Sequence, residues 1–406
     1  MNPITGYKRP LFCFTIVLIL ILSVNSTGFS RERKEILIGV CNSVSGKESP
    51  TGNEIRWAYE LAVADINQNG GIFVREYDKK LPVRLIIADD ESDAAVAAKV
   101  TERLIVREKV DMILGTHPGD QVIASCKVSE KHQVYYHSVA CFTPIFLESQ
   151  FQWATSIFFD LEQATEAPFR IWASIPPAER PKRHALLTEE TPDGVFFGSH
   201  FKKSARKLGY HFLVDESLSE TRDYLPLTVK LKNENIDSVL IFGDPADCIA
   251  FVRQAKKVGL NLKYLHGWKG TWTAEFWKAL GMDAQYVICD GFWSGAYPYP
   301  GAKRLANLFL QRFGMHSVSA GLFYGGCQIL FKAIEVAGTL DSAMIRKAVL
   351  KTEFLGTVLG NIRYGDDGVA IIPSTANQWW NGEPKWFFPF KEGAWTLKLM
   401  PPWDHR

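Results

Sequence analysis

The sequence lacks the short motifs that most often identify an α/β enzyme. It has no Gly-x-Ser-x-Gly nucleophile elbow, no Gly-x-x-x-x-Gly-Lys-Ser/Thr phosphate loop and no dinucleotide-binding glycine pattern after its first predicted strand. His132 and His137 lack the i, i+4 helical spacing of a metal-binding pair. We therefore expect no cofactor, and an enzyme is the least favoured of the function classes.

An excess of charge of one sign is also missing. The chain carries 46 basic and 44 acidic residues, for a net charge of +2. A nucleic-acid-binding protein would need a concentrated basic face, so we expect no nucleic-acid partner. The 47% of hydrophobic residues and 22% of charged residues are typical of a globular protein, and 406 residues are enough for two domains.

Long apolar runs are absent except for one at the amino terminus. Lys8 and Arg9 precede the apolar run 11–22, which is too short to span a bilayer comfortably and has the size of a signal peptide. With small residues near Ser26, this predicts a cleavable signal peptide over 1–28 and an exported protein. No cysteine stands directly after the run, so a lipid anchor is not indicated. An uncleaved membrane anchor is the alternative.

Cysteine is scarce and scattered. Cys13 lies inside the apolar run and would leave with it, and no Cys-x-x-Cys pair or Cys/His cluster suggests zinc. The six remaining cysteines could form three disulfides in any of 15 pairings. Cys126, Cys248 and Cys327 lie in helical patterns, where a buried free thiol is the expected state.

The stretch 36–115 determines the predicted architecture. Its apolar run 36–40, which is rich in β-branched residues, is short enough to be a buried strand, and the apolar residues of 53–68 recur at helical spacing. The further elements are strands at 83–88 and 111–115 and a helix at 94–108. Strands that alternate with helices predict a parallel sheet with right-handed crossovers, whose ligands lie beyond the carboxyl ends of the strands.

A second alternating series predicts a second lobe of the same kind. Its strands are expected at 184–188, 210–214, 237–242 and 263–265, with helices at 194–208, 226–235 and 245–258. Segment 284–289 is expected to lead the chain back towards the first lobe, and a hairpin around Asn381 and Gly382 is expected to pack on the second. The predicted lobes are 36–158 plus 292–372 and 159–291 plus 373–400.

Several short sequence segments, taken in their order along the chain, are specific to one family. The helix 60–67, the turn 70–72 and the acidic strand end 88–93 resemble the type I solute-binding proteins of ABC importers, the leucine/isoleucine/valine-binding family. This resemblance implies two Rossmann-like βα lobes joined by a multi-stranded hinge. It also implies a periplasmic protein that binds a small molecule and delivers it to importer permease subunits, with membrane contact only through the transporter. A sensor domain of the same fold is the alternative.

The resemblance also indicates the loops that would bind the ligand's carboxylate in the first lobe. The matching positions are Gly119 and Asp120 after the third strand, 111–115, and Ala140 and Cys141 after the fourth, which is predicted at 134–138. Gly119 and Asp120 stand where the family usually has serine, and Cys141 stands where it often has threonine. Backbone amides at a helix start could still bind an anion there, although Asp120 opposes this.

The second lobe departs further from the family pattern. Asp193 and Asp244 occupy the usual tyrosine positions, and Trp268 lies near the usual acid, with Lys269 beside it. The alternative for both aspartates is that they cap the helices that follow. These substitutions predict weak or no binding of leucine, isoleucine and valine, and a preference for another small polar or aromatic solute.

Overall fold

A computed structural model describes residues 1, 3, 6 and 33–406. The predicted signal peptide, its cleavage site and Cys13 lie outside the described residues. The helices are α1 Ser49–Gln68, α2 Ala94–Val106, α3 Gly119–His132, α4 Thr143–Glu148, α5 Leu161–Ser174, α6 Pro192–Lys207, α7 Leu225–Asn233, α8 Pro245–Val258, α9 Ala274–Leu280, α10 Ala302–Phe313, α11 Ala320–Ala337 and α12 Ser342–Lys351.

The strands alternate with these helices along most of the chain. They are β1 Ile36–Asn42, β2 Ile72–Val74, β3 Lys79–Leu81, β4 Val83–Asp89, β5 Met112–Leu114, β6 Tyr136–Ser138, β7 Ala154–Phe159, β8 His184–Thr188, β9 Val214–Ser217, β10 Ser238–Gly243, β11 Tyr264–Lys269, β12 Ile288–Gly291, β13 Glu353–Thr357, β14 Gly360–Arg363, β15 Val369–Ile372, β16 Thr375–Trp380 and β17 Glu383–Phe388.

Two large sheets define two lobes. The first lobe is built on the order β15-β7-β6-β5-β1-β4, in which all neighbours are parallel. The second is built on β17-β16-β12-β11-β10-β8-β9, which is parallel except for the antiparallel pairs of β16 with β12 and with β17. The predicted fold class, two βα lobes with parallel sheets, is confirmed.

The chain passes between the two sheets after β7, after β12 and after β15. Backbone hydrogen bonds tie these crossings together. The amide of Asp160 donates to the carbonyl of Ile372 at 2.9 Å, and the amides of Phe292 and Trp293 donate to the carbonyl of Val318 at 3.1 and 3.0 Å. Three adjacent crossings form a hinge, which permits rotation of one lobe against the other.

Local sequence explains why the elements begin and end where they do. β10 is an apolar run that is buried along its whole length. The carboxylate of Asp244 then accepts a hydrogen bond from the Asp247 amide at 2.9 Å, which caps α8, and Pro245 follows at the first helical position. Gly259 ends the helix at φ 65°, a left-handed conformation that glycine adopts without a Cβ penalty.

One sequence prediction was wrong about a strand of the second lobe. The strand expected at 210–214 lies at Val214–Ser217, after an irregular stretch that packs aromatic rings on the lobe. Segment 284–289 leads into β12, which pairs with β11 on one side and with β16 on the other and so belongs to the second sheet. The chain heads back towards the first lobe after this strand.

Two further expectations concern the state of the cysteines and the presence of a membrane-spanning helix. Cys41, Cys126, Cys141, Cys248, Cys289 and Cys327 are all buried free thiols. The buried free state expected for the three helical cysteines is therefore confirmed. Among residues 33–406 no helix is both long and apolar enough to cross a membrane.

Candidate functional site

The buried ion cluster between the lobes centres on Lys269, the last residue of β11. Its Nζ atom lies 2.8 Å from Glu48 Oε1 of the first lobe and 2.6 Å from Glu189 Oε1 of the second. All three side chains are less than a tenth exposed. Lys269 has φ 65°, a left-handed conformation that is uncommon for lysine and that recurs at functional sites.

Electrostatics keeps Lys269 charged in this position. Burial by itself disfavours the ammonium, but the attraction of Glu48 and Glu189 outweighs this and raises the pKa of Lys269. One ammonium therefore faces two carboxylates from different lobes. Because separation of the lobes would leave Glu48 without Lys269, whereas Glu189 belongs to the same lobe as Lys269, the Lys269–Glu48 contact exists only in the closed arrangement.

A second contact between the lobes joins Gly119 and Asp193. The Gly119 amide, at the start of α3, donates to Asp193 Oδ2 on α6 at 3.0 Å. Burial raises the pKa of Asp193 to about 6, although Lys269 and the Gly119 amide both favour the carboxylate. A Cβ atom on Gly119 would lie 2.8 Å from Asp193 Oδ1, so a serine there would disturb the contact.

A third contact places another acid between the lobes. Glu54 on α1 is 3% exposed, and its Oε1 accepts a hydrogen bond from the Ala274 amide of the second lobe at 2.8 Å. Burial raises the pKa of Glu54 to about 8, while the Ala274 amide and Lys278 act in the opposite direction. Glu54 is therefore largely protonated at neutral pH in this arrangement.

An enclosed cavity of about 10 Å³ lies beside the ion cluster, at the carboxyl ends of both sheets. This is room for about one water molecule, so an organic solute would enter only if the lobes separate. Small, polar and charged residues form part of the lining, namely Ala140, His117, Asp193, Lys269 and Asp290. The rest is aromatic and consists of Phe142, Phe158, Phe159, Phe242, Trp268 and Trp272.

Several polar atoms of this lining have no hydrogen-bond partner among the described residues. They are Nδ1 of His117, Nε1 of Trp268 and of Trp272, and both carboxyl oxygens of Asp290. Burial lowers the pKa of His117 to about 3, so its ring is neutral. Buried polar groups are normally paired, and unpaired donors and acceptors that surround one cavity are what a ligand-binding site requires.

The first-lobe residues predicted from sequence lie in different environments. Ala140 lines the cavity. Asp120 lines a neighbouring space of about 40 Å³ together with Asp193 and Lys269. Gly119 contributes its amide to Asp193, whereas Cys141 is buried in the apolar core of the first lobe, with its thiol directed to the Phe142 carbonyl.

Of the second-lobe residues predicted from sequence, three line the cavity and Asp244 does not. Trp268, Lys269 and Asp193 line the cavity, and Asp193 does not cap α6, because Thr191 Oγ1 accepts from the Gly194 amide at 3.1 Å instead. Asp244 caps the helix that follows it, which was the alternative role for this residue. Its carboxylate caps α8 and forms an ion pair with Arg222 at 2.9 Å, so it is not part of the cavity wall.

Sequence reasoning missed four polar residues of the site. His117 lies in a loop that had been singled out, and its position one residue before the helical turn was an available signal. Asp290 follows from the rule that ligands lie at strand ends, but only once β12 is assigned to the second sheet. Glu48 and Glu189 carry no local sign of their role, because their partner Lys269 is distant in sequence.

Comparisons with known proteins show what the whole chain is similar to. The profile of the family described as "Periplasmic binding protein" matches residues 35–383. The chain is 23% identical over 380 residues to the Leu/Ile/Val-binding protein homolog 2 of Brucella abortus, covering 93% of this chain and 97% of the relative.

Solved structures show the same fold. The branched-chain amino acid transporter substrate-binding protein LivJ of Streptococcus pneumoniae, in complex with isoleucine, has a TM-score of 0.75 at 20% identity and covers 91% of this chain and all of its own. A solute-binding protein of an ABC transporter from Rhodopseudomonas palustris, in complex with 3,4-dihydroxybenzoic acid, has a TM-score of 0.73 at 18% identity. The match covers 92% of this chain and 100% of that protein.

Proposed function

Because the chain belongs to the periplasmic binding protein family, we propose that it is the extracytoplasmic solute-binding component of an ABC importer of the branched-chain amino acid type. The lobes, proposed as 36–158 plus 292–372 and 159–291 plus 373–400, close over a small polar solute and present it to the permease subunits. No bond is made or broken. Affinity arises from polar groups that hinge closure buries.

The observation that carries this proposal is the set of contacts that exist only when the lobes are together. The Lys269–Glu48 ion pair and the Gly119–Asp193 hydrogen bond both join the two lobes beside the cavity. A catalytic site does not require such contacts. A protein that alternates between an open and a closed form does, because a solute then shifts the balance between the two forms.

The solute is proposed to differ from leucine, isoleucine and valine. Relatives of this fold were solved with isoleucine and with 3,4-dihydroxybenzoic acid, so the fold accepts more than one chemical class. In this chain Gly119 offers no hydroxyl to a carboxylate, and Trp268 replaces the acid that would pair with an ammonium at that position. We propose a small polar or aromatic solute.

Export is part of the proposal. The amino-terminal segment would be removed as a signal peptide near residue 28, leaving a periplasmic protein without a lipid anchor. Intact-mass analysis of the exported protein would test this directly. A mature protein that retains the apolar run 11–22 would contradict it.

The function itself is tested by recovering the solute. The protein would be purified from its exported fraction without denaturation, and native mass spectrometry would detect a co-purified small molecule. After unfolding, release and refolding, the identified molecule should rebind and reduce the radius of gyration measured by X-ray scattering. An unchanged scattering profile at saturation would contradict closure.

A pair of variants ties the bound solute to the cavity. Trp272→Phe removes an indole N–H that has no hydrogen-bond partner among the described residues, from a side chain that lines the cavity, and should weaken binding several-fold. Trp403→Phe, near the carboxyl terminus and hydrogen-bonded to the Leu260 carbonyl, is the matched control and should leave the affinity unchanged. Equal effects of both variants would place the site elsewhere.

A further inference from the structure

The carboxyl group of Asp290 differs from that of Asp193, the other acid that lines the cavity, and from Glu48 of the neighbouring ion cluster, which has Lys269 as its counter-charge. Asp290 lies in β12, is 2% exposed and lines the cavity. Within residues 33–406 neither of its oxygens has a hydrogen-bond partner. By contrast, Asp193 accepts from the Gly119 amide, and Glu189 is paired with Lys269.

We propose that the cleft binds an organic cation with an apolar body, whose positive group pairs with Asp290. This rests on the proposed solute-binding function and names the class of solute. The closed cleft lacks a partner for one buried acid, and a cationic group supplies it. A buried carboxylate without a counter-charge is costly, so a solute that provides one gains affinity from that pairing.

The charges around the cavity favour a positively charged solute. Lys269 is the one basic residue whose side chain lines the cavity in the described structure, and Glu48 and Glu189 already share it. His117 is neutral there. An anionic solute would therefore meet no free cation and would lie close to Asp290. A cationic solute meets an unpaired acid instead.

The walls of the cavity favour a cation as well. Six aromatic side chains enclose it, and aromatic faces attract ammonium groups, by about 0.5–2 kcal/mol for each favourable contact. The same rings can bury an apolar body. The indole N–H groups of Trp268 and Trp272 remain available for an acceptor atom on the solute, such as a hydroxyl oxygen.

The rival class is a small aromatic carboxylic acid. Burial raises the pKa of Asp290 well above its ordinary range, so burial without a counter-charge favours the protonated form of this group. A protonated carboxyl could donate a hydrogen bond to an anion. The two classes thus predict opposite orders of affinity, and solutes of one shape and different charge separate them.

The experiment uses benzylamine, benzyltrimethylammonium, benzyl alcohol and benzoate with the mature protein at neutral pH. Titration calorimetry should give dissociation constants for the two cations that are at least about tenfold lower than for the alcohol, and no binding of benzoate. Asp290→Asn, which keeps the shape and removes the charge, should raise the dissociation constants of the cations about tenfold. It should leave that of the alcohol within about twofold.

Asp366→Asn is the matched control, because Asp366 is a fully exposed aspartate and its loss should not alter any affinity. Tighter binding of benzoate than of the cations would overturn the proposal, and so would unchanged cation affinity in Asp290→Asn. In either case the proposed function stands, because a solute is still bound. Failure of all four solutes to bind counts against the cation class, whereas the search for a co-purified solute judges the function independently.

Discussion

Lys269 of the second lobe and Glu48 of the first form a buried ion pair, with 2.8 Å between Nζ and Oε1. Both side chains are at most 2% exposed. An ion pair of this kind is not strong evidence of stability in itself, because desolvation offsets much of the attraction. Its location is what matters, since it exists only while the two lobes are closed.

Replacing Lys269 by methionine should destabilise the closed protein strongly. Glu48 and Glu189 would remain buried without a counter-charge, which typically costs about 3–5 kcal/mol. We expect urea denaturation to show a loss of this order in the free energy of unfolding. Adding Glu48→Gln to the same chain should recover part of it.

The control for this variant is Lys332→Met. Lys332 pairs with Glu335 on one exposed helix face, so its loss should change the free energy of unfolding by less than about 1 kcal/mol. Equal losses for Lys269→Met and Lys332→Met would show that the buried cluster has no special role.

Gly119→Ala should favour the open form while leaving each lobe folded. The added Cβ would lie 2.8 Å from Asp193 Oδ1 and would disturb the hydrogen bond between the lobes. X-ray scattering should therefore give a larger radius of gyration than for the unmodified protein. Ser199→Ala, an exposed change on α6, should leave the profile unchanged. A profile for Gly119→Ala that matches the unmodified protein would contradict the expected role of this contact.

Stability should fall as the pH rises through the titration of Glu54. Its ordinary pKa is 4.5, and burial raises the pKa to about 8 in the folded protein. Between these values the folded protein holds a proton that the unfolded chain has released. Folding is therefore favoured at the acidic end of this window, and that advantage is lost as the pH approaches 8.

The variant Glu54→Gln should flatten this dependence, because glutamine keeps the hydrogen bond to the Ala274 amide without titrating. Urea midpoints measured at several pH values across the window should converge on a nearly constant value. The difference from the unmodified protein should be on the order of a few kcal/mol at the alkaline end. Parallel pH profiles for the two proteins would mean that Glu54 does not carry the effect.

Leucine, isoleucine and valine should not stabilise the protein. Gly119 gives no hydroxyl to an amino-acid carboxylate, and Asp290, the unpaired acid of the cavity, is on β12 rather than at the Trp268 position. A ligand at about 100 times its dissociation constant adds roughly 2.7 kcal/mol of stability, so a thermal-shift screen can detect binding. A clear shift with leucine that Asp193→Ala abolishes would contradict this expectation.

The fold could be predicted from sequence wherever local rules decide the outcome. The predicted helix 245–258 coincides with α8, because Asp244, Pro245 and Gly259 mark its ends in the sequence. The partners of β12 could not be predicted in the same way. β12 pairs with β11 and β16, and β16 is distant in sequence. An apolar run of four to six residues fits a strand of either sheet, so local sequence does not determine these partners.

The position of the candidate site could be predicted better than its composition. The family resemblance directs attention to Trp268 and Lys269 at the end of a parallel strand, and both line the cavity there. It cannot show that Glu48, in a polar loop before α1, meets Lys269 across the cleft. Such pairs depend on how the hinge orients the lobes, and nothing in the local sequence of either residue reflects that orientation.

The six free thiols can serve as internal reporters of transient opening. Burial raises the pKa of every one of them, so each reacts with an alkylating reagent only when its surroundings open. Four belong to the first lobe and two to the second, namely Cys41, Cys126, Cys141 and Cys327, and Cys248 and Cys289. Their separate labelling rates would therefore reveal which lobe loosens first, without any substitution in the chain.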